Sequence, residues 1–241
     1  MVSSNKKAIK QLTQQLTETL NIEQTHWFYD VIGQIQATLP NNTAIQLAKL
    51  WSKASSQISH YLDKAPIQYK TTTWECDHLA RFLLFTHTLS CCHELQRKEL
   101  CELCFHFADD LEAISIVKGL HLADTEGKLV QQFIQLSHTN YPPLFSAIAL
   151  KHPWPAAYFS TEEFNQLVLK ALFLDLDASE IIDLKKRQNP ALSILAADLL
   201  RDRLSSKRQP PQAILSVINP QHLNINDKTL INRFCLEGIP A

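Results

Sequence analysis

Apolar residues recur along most of the chain at intervals of three and four, the spacing of one face of an α-helix. Residues 6–20 repeat Ile9, Leu12, Leu16 and Leu20 on a polar background, and residues 43–62, 74–89, 94–108 and 128–138 keep the same period. Helices joined by short turns leave few architectures. We therefore predict an all-α fold of roughly 8–10 helices, arranged as an irregular α-α superhelix or HEAT-like layer.

Local signals mark where several helices begin and end. Asp109 with Glu112, and Ser160 with Glu163, have the spacing of a capping box, in which the two side chains bond each other's backbone N–H. Gly119 is expected just past the end of the helix that Asp109 begins. Within residues 74–89, Asp77 and Arg81 are spaced i,i+4 and predict a surface ion pair.

Two helices in the second half carry the strongest apolar patterns. The helix after Ser160 is apolar over most of its circumference and is predicted to be central to its domain, with these inward positions: Phe164, Leu167, Val168, Ala171 and Leu172. The next begins at Asn189 and Pro190 as N-cap and first helical residue. Its expected inward positions are Leu192, Leu195, Ala196, Leu199 and Leu200.

A length of 241 residues suits one large domain or two small ones. We expect a single helical domain over residues 1–241, with an N-terminal helical subdomain over residues 1–65 as the alternative. The boundary of that subdomain would lie in a connector at residues 63–73, which is expected to be a loop.

Charge and glycine content exclude several classes of function. The net charge is −1, from 23 basic and 24 acidic residues, so no nucleic-acid partner is expected. With 4 glycines and no glycine-rich phosphate motif, a nucleotide-binding loop is disfavoured. Apolar runs are too short for a membrane span. Six cysteines without an export signal indicate reduced thiols and a cytoplasmic protein.

Residues 139–208 contain an unusual series of motifs: Thr139-Asn140, the aromatic turn Pro153-Trp154-Pro155-Ala156 with Tyr158-Phe159, Phe164-Asn165-Gln166, the run from Val168 to Phe173, and Arg187 with Asn189-Pro190. Through these motifs the segment resembles the EboA family. EboA-like proteins occur in bacterial gene clusters associated with making or moving a secondary metabolite. The resemblance implies a pathway and no particular reaction.

Cysteines and acidic residues suggest two candidate sites. Cys91, Cys92, Cys101 and Cys104, with nearby histidines, include a C-x-x-C pair that zinc or redox chemistry would use. That pair lies inside a regular helix, so buried, inert thiols are favoured and no metal or cofactor is expected. Asp109 and Glu112, with Asp110, form a carboxylate cluster, for which helix capping is the favoured explanation.

A polar set around the aromatic turn is the candidate binding site, with these members: Asn140, Trp154, Tyr158, Asn165, Gln166 and Lys170. The simpler interpretation is that Asn165 bonds the backbone of the turn at residues 153–155. The alternative is a pocket for a polar metabolite. Arg187, Arg203 and Asp198 are expected to form interhelical salt bridges.

Three hypotheses about function remain. The favoured one is a non-enzymatic protein that binds other Ebo-pathway proteins or a small polar metabolite through this polar set, with no catalytic residue assigned. The second is a helical enzyme acting on the same metabolite, with Lys170, Tyr158, His152 or Glu112 transferring protons. The third is a zinc or redox module built on the cysteines.

Overall fold

The computed structural model describes residues 2–37, 43–62, 65–69, 72–124 and 126–237. These residues form fourteen α-helices and one two-stranded antiparallel sheet, so the all-α prediction is confirmed. The helices outnumber the roughly 8–10 expected because several segments divide into short helices, with prolines starting new ones after an extended residue. The superhelical arrangement stays a prediction.

The chain divides into two compact units, Met1–Gln135 and Leu136–Ala241. We call them unit 1 and unit 2 and describe each by itself. The single-domain organisation expected from the sequence stays a prediction. No helix in the described ranges combines the length and the apolar character needed to cross a bilayer.

The described residues of unit 1 form seven helices and the small sheet. In chain order these are α1 (Val2–Thr19), α2 (Ile22–Ala37), α3 (Ala44–Tyr61), β1 (Pro66–Tyr69), β2 (Thr72–Glu75), α4 (Cys76–Ser90), α5 (Glu94–Phe107), α6 (Asp110–Ala123) and α7 (Val130–Leu136), the last of which ends one residue beyond the division.

Helix α4 is the centre of unit 1. It packs against α1, α2, α3 and α6, and nearly all its side chains are buried. A helix surrounded in this way is normally apolar on every side. Helix α4 nevertheless buries Asp77, His78 and Arg81 near its N-terminus. The predicted surface position of the Asp77–Arg81 pair is therefore wrong.

A hairpin precedes α4 in the segment that the sequence indicated to be a loop. Ile67 of β1 lies opposite Trp74 of β2, and both side chains are buried. The Trp74 ring stacks on Phe82 of α4 with centroids 5.3 Å apart. Residues 63, 64, 70 and 71 of the expected connector lie outside the described residues. The two strands are favoured because they bury the side chains of Ile67 and Trp74 in the core.

Gly119 lies inside α6 and does not end it, contrary to the sequence-based expectation. The helix continues to Ala123. A Cβ atom at Gly119 would lie 2.3 Å from Cε2 of Phe82. Glycine is therefore needed for the close approach of α6 to α4, because any side chain there would overlap a buried ring.

Unit 2 is built from shorter helices. After α7 come α8 (Pro142–Ala149), α9 (Pro153–Tyr158), α10 (Thr161–Phe173), α11 (Leu184–Arg187), α12 (Pro190–Ser205), α13 (Ile214–Val217) and α14 (Ile225–Glu237). Helix α10 packs against α8 and α12, and Phe164, Val168 and Leu172 are fully buried. The prediction that this helix is central is confirmed for unit 2.

The helix caps agree closely with the sequence. Both capping boxes form, at Asp109 with Glu112 and at Ser160 with Glu163. The Asn189 side chain accepts a hydrogen bond from the Leu192 N–H at 3.0 Å and so begins α12. Capping depends on side chains three residues apart, which is why a local pattern predicts it.

Candidate functional site

The aromatic turn of unit 2 forms a short, tightly bonded elbow between α8 and α10, residues 150–160. Lys151 adopts a left-handed conformation with φ 56°. Nδ1 of His152 accepts a hydrogen bond from the Trp154 N–H at 3.2 Å and so caps α9. The Trp154 ring is buried and meets Tyr158 edge-on, with centroids 5.8 Å apart. These contacts fix the path of the backbone through two prolines.

Arg187 joins this elbow to α10. Its guanidinium donates to the carbonyl oxygens of Pro155 (2.8 Å), Ala156 (3.2 Å), Phe159 (2.8 Å) and Ser160 (3.1 Å). Its Cζ also lies 4.3 Å from the centre of the Phe164 ring. A planar guanidinium with five N–H groups suits this work, because it can bond several fixed carbonyls at once.

The predicted salt bridges of Arg187, Arg203 and Asp198 are wrong. Among the residues that the structure describes, Arg187 bonds backbone oxygens and no carboxylate. Asp198 pairs with Arg201 of its own helix at 2.6 Å, and Arg203 lies over the Phe173 ring at 5.6 Å. The sequence shows which side chains are charged, but it does not show that the Arg187 guanidinium binds backbone carbonyl groups.

Asn165 also has a different partner from the expected one. Its Nδ2 donates to Oδ1 of Asn189 at 3.2 Å, and Nδ2 of Asn189 donates back to Oδ1 of Asn165 at 2.9 Å. The expectation that Asn165 bonds the turn backbone is therefore wrong, since Arg187 does so. The reciprocal amide pair couples α10 to the start of α12.

Lys170 is bound on the inner side of unit 2. Its Nζ donates to the carbonyl oxygens of Ser137 (3.2 Å) and Thr139 (2.6 Å) and lies 4.7 Å from the centre of the Phe145 ring. Partial burial lowers the pKa of Lys170. Its ammonium group therefore holds the entry to α8.

The remaining members of the predicted set face the solvent. Asn140 and Gln166 are exposed, and Tyr158 is 45% exposed. The predicted set thus divides into three internally engaged residues, Trp154, Asn165 and Lys170, and three exposed ones. Its use as a binding surface stays a prediction.

Unit 1 holds a buried ion pair that the sequence analysis placed on the surface. Nη1 of Arg81 lies 3.0 Å from Oδ2 of Asp77, and the two residues are 2% and 1% exposed. Nη2 of Arg81 donates to the Ser59 hydroxyl at 2.7 Å, and the Trp51 indole donates to the Arg81 carbonyl at 3.3 Å. Because both groups are buried, removing either one would leave the other charge unpaired away from water and would destabilise the fold.

Other titratable groups surround this pair. Burial lowers the pKa of His78, although the charge of Asp77 partly opposes the shift. Burial also raises the pKa of Glu112 and lowers that of Lys118, whose Nζ lies 5.9 Å from the centre of the Trp74 ring. Each shift favours the neutral form, as expected of groups removed from water.

Three potential metal ligands meet at the start of α4. Ligand atoms of Glu75, Asp77 and His78 lie within 4.8 Å of one another. The Asp77 carboxylate is already bonded to Arg81, and Lys118 is also close enough to affect His78. An ion would have to compete with Arg81 for the buried Asp77 carboxylate, so this arrangement disfavours metal binding.

Most cysteines of unit 1 are internal thiols, whereas Cys91 is half-buried. Cys92, Cys101 and Cys104 are buried, the latter two inside α5, as the sequence indicated. Burial raises the pKa of Cys92 to about 11 and raises those of Cys101 and Cys104 as well. Zinc and redox chemistry both need thiolates, which burial disfavours here.

A cavity of about 520 Å³ lies within unit 1, among α1, the C-terminal half of α4, α5, and the end of α6 with the segment that follows it. Its apolar wall includes these side chains: Ile9, Leu89, Leu122 and Leu129. Asn5 fixes one edge, because its Nδ2 donates to the His121 carbonyl at 3.1 Å. The size is in the range of small-molecule sites.

Basic side chains dominate the charged part of this cavity. Lys6, Arg97, Lys98 and Lys128 line it, against two carboxylates, Asp124 and Glu126, which leaves an excess of two positive charges. His87 also contributes, and burial lowers its pKa, which favours the neutral ring. The sequence analysis missed this site, since its residues come from positions 5 to 129 and share no motif.

Comparison with known proteins identifies the family. A family model described as "Metabolite traffic protein EboA" matches residues 5–219. The match extends across most of the chain, beyond residues 139–208, which carry the resemblance. No curated protein and no solved structure matches the chain. The chain therefore belongs to the EboA family, whose description indicates a role in metabolite handling.

Proposed function

We propose that this protein binds a small metabolite in the cavity of unit 1 and passes it on chemically unchanged. The observation that carries the proposal is the cavity of about 520 Å³, whose wall combines apolar side chains with a few charged ones. Ligand sites commonly have this composition, since apolar walls supply affinity and polar groups supply orientation. The family description, metabolite traffic, agrees with binding and release.

Binding is favoured over catalysis because three of the four groups named for proton transfer, Lys170, His152 and Glu112, are engaged elsewhere. Lys170 donates to two backbone carbonyls, and Nδ1 of His152 accepts from the Trp154 N–H. The Glu112 carboxylate accepts from the Asp109 N–H at 3.0 Å within its capping box. A general acid or base needs a group within reach of substrate, and these groups hold the fold instead.

Transfer of the metabolite requires a partner, and we propose that the partner is another protein of the same secondary-metabolite pathway in the cytoplasm. The exposed members of the predicted polar set, Asn140, Tyr158 and Gln166, are available for such contact. Asn165 and Lys170 would support that surface from beneath, because their hydrogen bonds lie inside unit 2.

Recovery of the bound metabolite tests the proposal. The protein is purified without denaturant from cells that naturally produce it, and small molecules are released with organic solvent and identified by mass spectrometry. Ala123→Trp places a large ring at the cavity wall, and Ala157→Trp makes the same change at an exposed position of unit 2. We expect the same compound from wild type and Ala157→Trp and little from Ala123→Trp.

Folding of each variant is checked by its thermal melting curve. If Ala123→Trp unfolds, the smaller change Ala123→Leu takes its place, with Ala157→Leu as control. Equal recovery from all forms, or no compound from wild type, would contradict binding in this cavity.

A further inference from the structure

We propose that the cavity of unit 1 selects molecules in which a singly or doubly charged anionic group is attached to an apolar body. This inference rests on the proposed function, because it names the chemical class of the ligand for that cavity. Two observations support it. The apolar and the cationic side chains lie on different parts of the cavity surface, and only some of the cations are paired with carboxylates.

The apolar part of the cavity is its inner wall. Leu89 and Leu129 are 9% and 4% exposed, and Ile9 and Leu122 are half-buried beside them. Removing an apolar ligand surface from water at such a wall is favourable, in proportion to the area that is buried. A ligand without an apolar portion would leave this wall solvated.

The cationic part lies at the solvent side of the same cavity. Lys6, Arg97, Lys98 and Lys128 are exposed, so their charged ends stay hydrated while their stems border the cavity. A ligand that buries its apolar body at the inner wall brings its polar end to these groups. The geometry therefore favours an amphiphile that enters with its apolar end first.

The two carboxylates of the cavity are occupied by other partners. Asp124 accepts hydrogen bonds from the Glu126 N–H (3.2 Å) and the Leu129 N–H (2.7 Å), which fold the segment after α6. Glu126 pairs with Lys128 at 2.8 Å. Neither carboxylate lies in an ion pair with Lys6 or Arg97.

Lys6 and Arg97 are consequently the cations that can receive an anion. Lys98 lies 3.9 Å from Glu102 of its own helix, a weak exposed pair. In the described part of the chain, no carboxylate pairs with Lys6 or Arg97. Arg97 offers the forked donor geometry that suits a carboxylate or phosphate oxygen pair. The two positive charges of Lys6 and Arg97 match a monoanion or dianion.

Two fluorescent probes with the same aromatic body separate the apolar and the anionic contributions. N-phenyl-1-naphthylamine is neutral, and 1-anilinonaphthalene-8-sulfonate adds one negative charge. We expect the sulfonate to bind at least roughly fivefold more tightly, since one or two cations at an exposed site contribute that much. Added salt should weaken binding of the sulfonate and leave the neutral probe unaffected.

A charge variant with a matched control locates the selectivity. The double change Lys6→Gln with Arg97→Gln should weaken sulfonate binding by about tenfold and leave the neutral probe unchanged. The control removes two exposed lysines from unit 2, Lys185→Gln with Lys186→Gln, and should change neither affinity. All four positions are exposed, so we expect both variants to fold, which their thermal melting curves check.

The possible failures are distinguishable. If neither probe binds, or if Ala123→Trp weakens the binding of neither probe, the cavity is no ligand site and the proposed function fails. If both probes bind equally and the Lys6 and Arg97 changes have no effect, the cavity binds apolar molecules and the anion selectivity is overturned. If the control variant weakens sulfonate binding as much as the Lys6 and Arg97 variant, selectivity for an anion does not arise in this cavity and is likewise overturned.

Discussion

Each unit is organised around one arginine, and the two are held in different ways. Arg81 of unit 1 is 2% exposed and forms an ion pair with the equally buried Asp77. Arg187 of unit 2 is half-buried and donates to four backbone carbonyls of the elbow. One arginine therefore neutralises a buried charge, whereas the other fixes an irregular stretch of backbone.

This contrast extends to the other polar groups. In unit 2, Asn165 and Lys170 use their donors on neighbouring groups of the same unit. In unit 1, Lys6 and Arg97 border a cavity and are paired with no described carboxylate. Polar residues whose hydrogen bonds are made internally support the fold, and those that face an open cavity are available for a ligand.

The largest expected effect comes from separating the buried pair of unit 1. Arg81→Met leaves the Asp77 carboxylate buried and unpaired, so we expect a loss of about 3–5 kcal/mol in the free energy of unfolding. The double variant Asp77→Leu with Arg81→Met removes both charges and should regain most of it. Urea unfolding followed by circular dichroism measures both. A loss below about 1 kcal/mol for Arg81→Met would mean that water reaches the pair.

The close approach of α6 to α4 is expected to be nearly as sensitive. Gly119→Ala places a methyl group against the buried Phe82 ring, so we expect a loss of about 2–3 kcal/mol from overpacking. Gly33→Ala is the matched control in α2, where a Cβ meets no atom within 4 Å and the higher helix propensity of alanine should stabilise by up to about 1 kcal/mol. Equal effects in urea unfolding would contradict the packing of Gly119.

Removing the arginine of unit 2 should cost less. Arg187→Met frees four carbonyls near the surface, where water replaces part of the lost bonding, so we expect a loss of about 1–2 kcal/mol. Amide hydrogen exchange should show faster exchange confined to the elbow and the start of α10. Unchanged protection there would mean that the prolines alone hold the elbow.

The smallest effect concerns the thiols of the two units. Their different reactivity can be measured in the wild-type protein. Cys235 of unit 2 is exposed, and Cys92, Cys101 and Cys104 of unit 1 are buried. With its pKa raised to about 11, Cys92 stays protonated at pH 8. Titration with a thiol reagent should modify Cys235 at once and these three only after unfolding. Rapid modification of Cys101 or Cys104 in the folded protein would revive the zinc or redox hypothesis.

The sequence predicts those features that depend on neighbouring residues. Three predicted helix caps are confirmed: the capping boxes at Asp109 and Ser160 and the N-cap at Asn189. Each depends only on residues within three positions of one another. The buried character of α10 followed from its apolar periodicity. Both kinds of signal are local.

Features that depend on distant residues could not be predicted in this way. An i,i+4 pair has the same spacing on a buried face of a helix as on an exposed one. The burial of Asp77 and Arg81 therefore could not be inferred from the sequence. Leu195, expected to face inward, is 45% exposed, because the packing around α12 does not cover that side of the helix. The cavity required α1, α4, α5, and the end of α6 with the segment that follows it to be brought together by tertiary packing.

The most direct test of the contrast removes one positive charge from each unit. The dissociation constant of 1-anilinonaphthalene-8-sulfonate is measured for Arg97→Gln and for Lys170→Met beside wild type. We expect Arg97→Gln to weaken binding by roughly fivefold. We expect Lys170→Met to leave the dissociation constant unchanged while it lowers the melting temperature. Weaker binding in Lys170→Met together with unchanged binding in Arg97→Gln would contradict the assignment of the ligand site to unit 1.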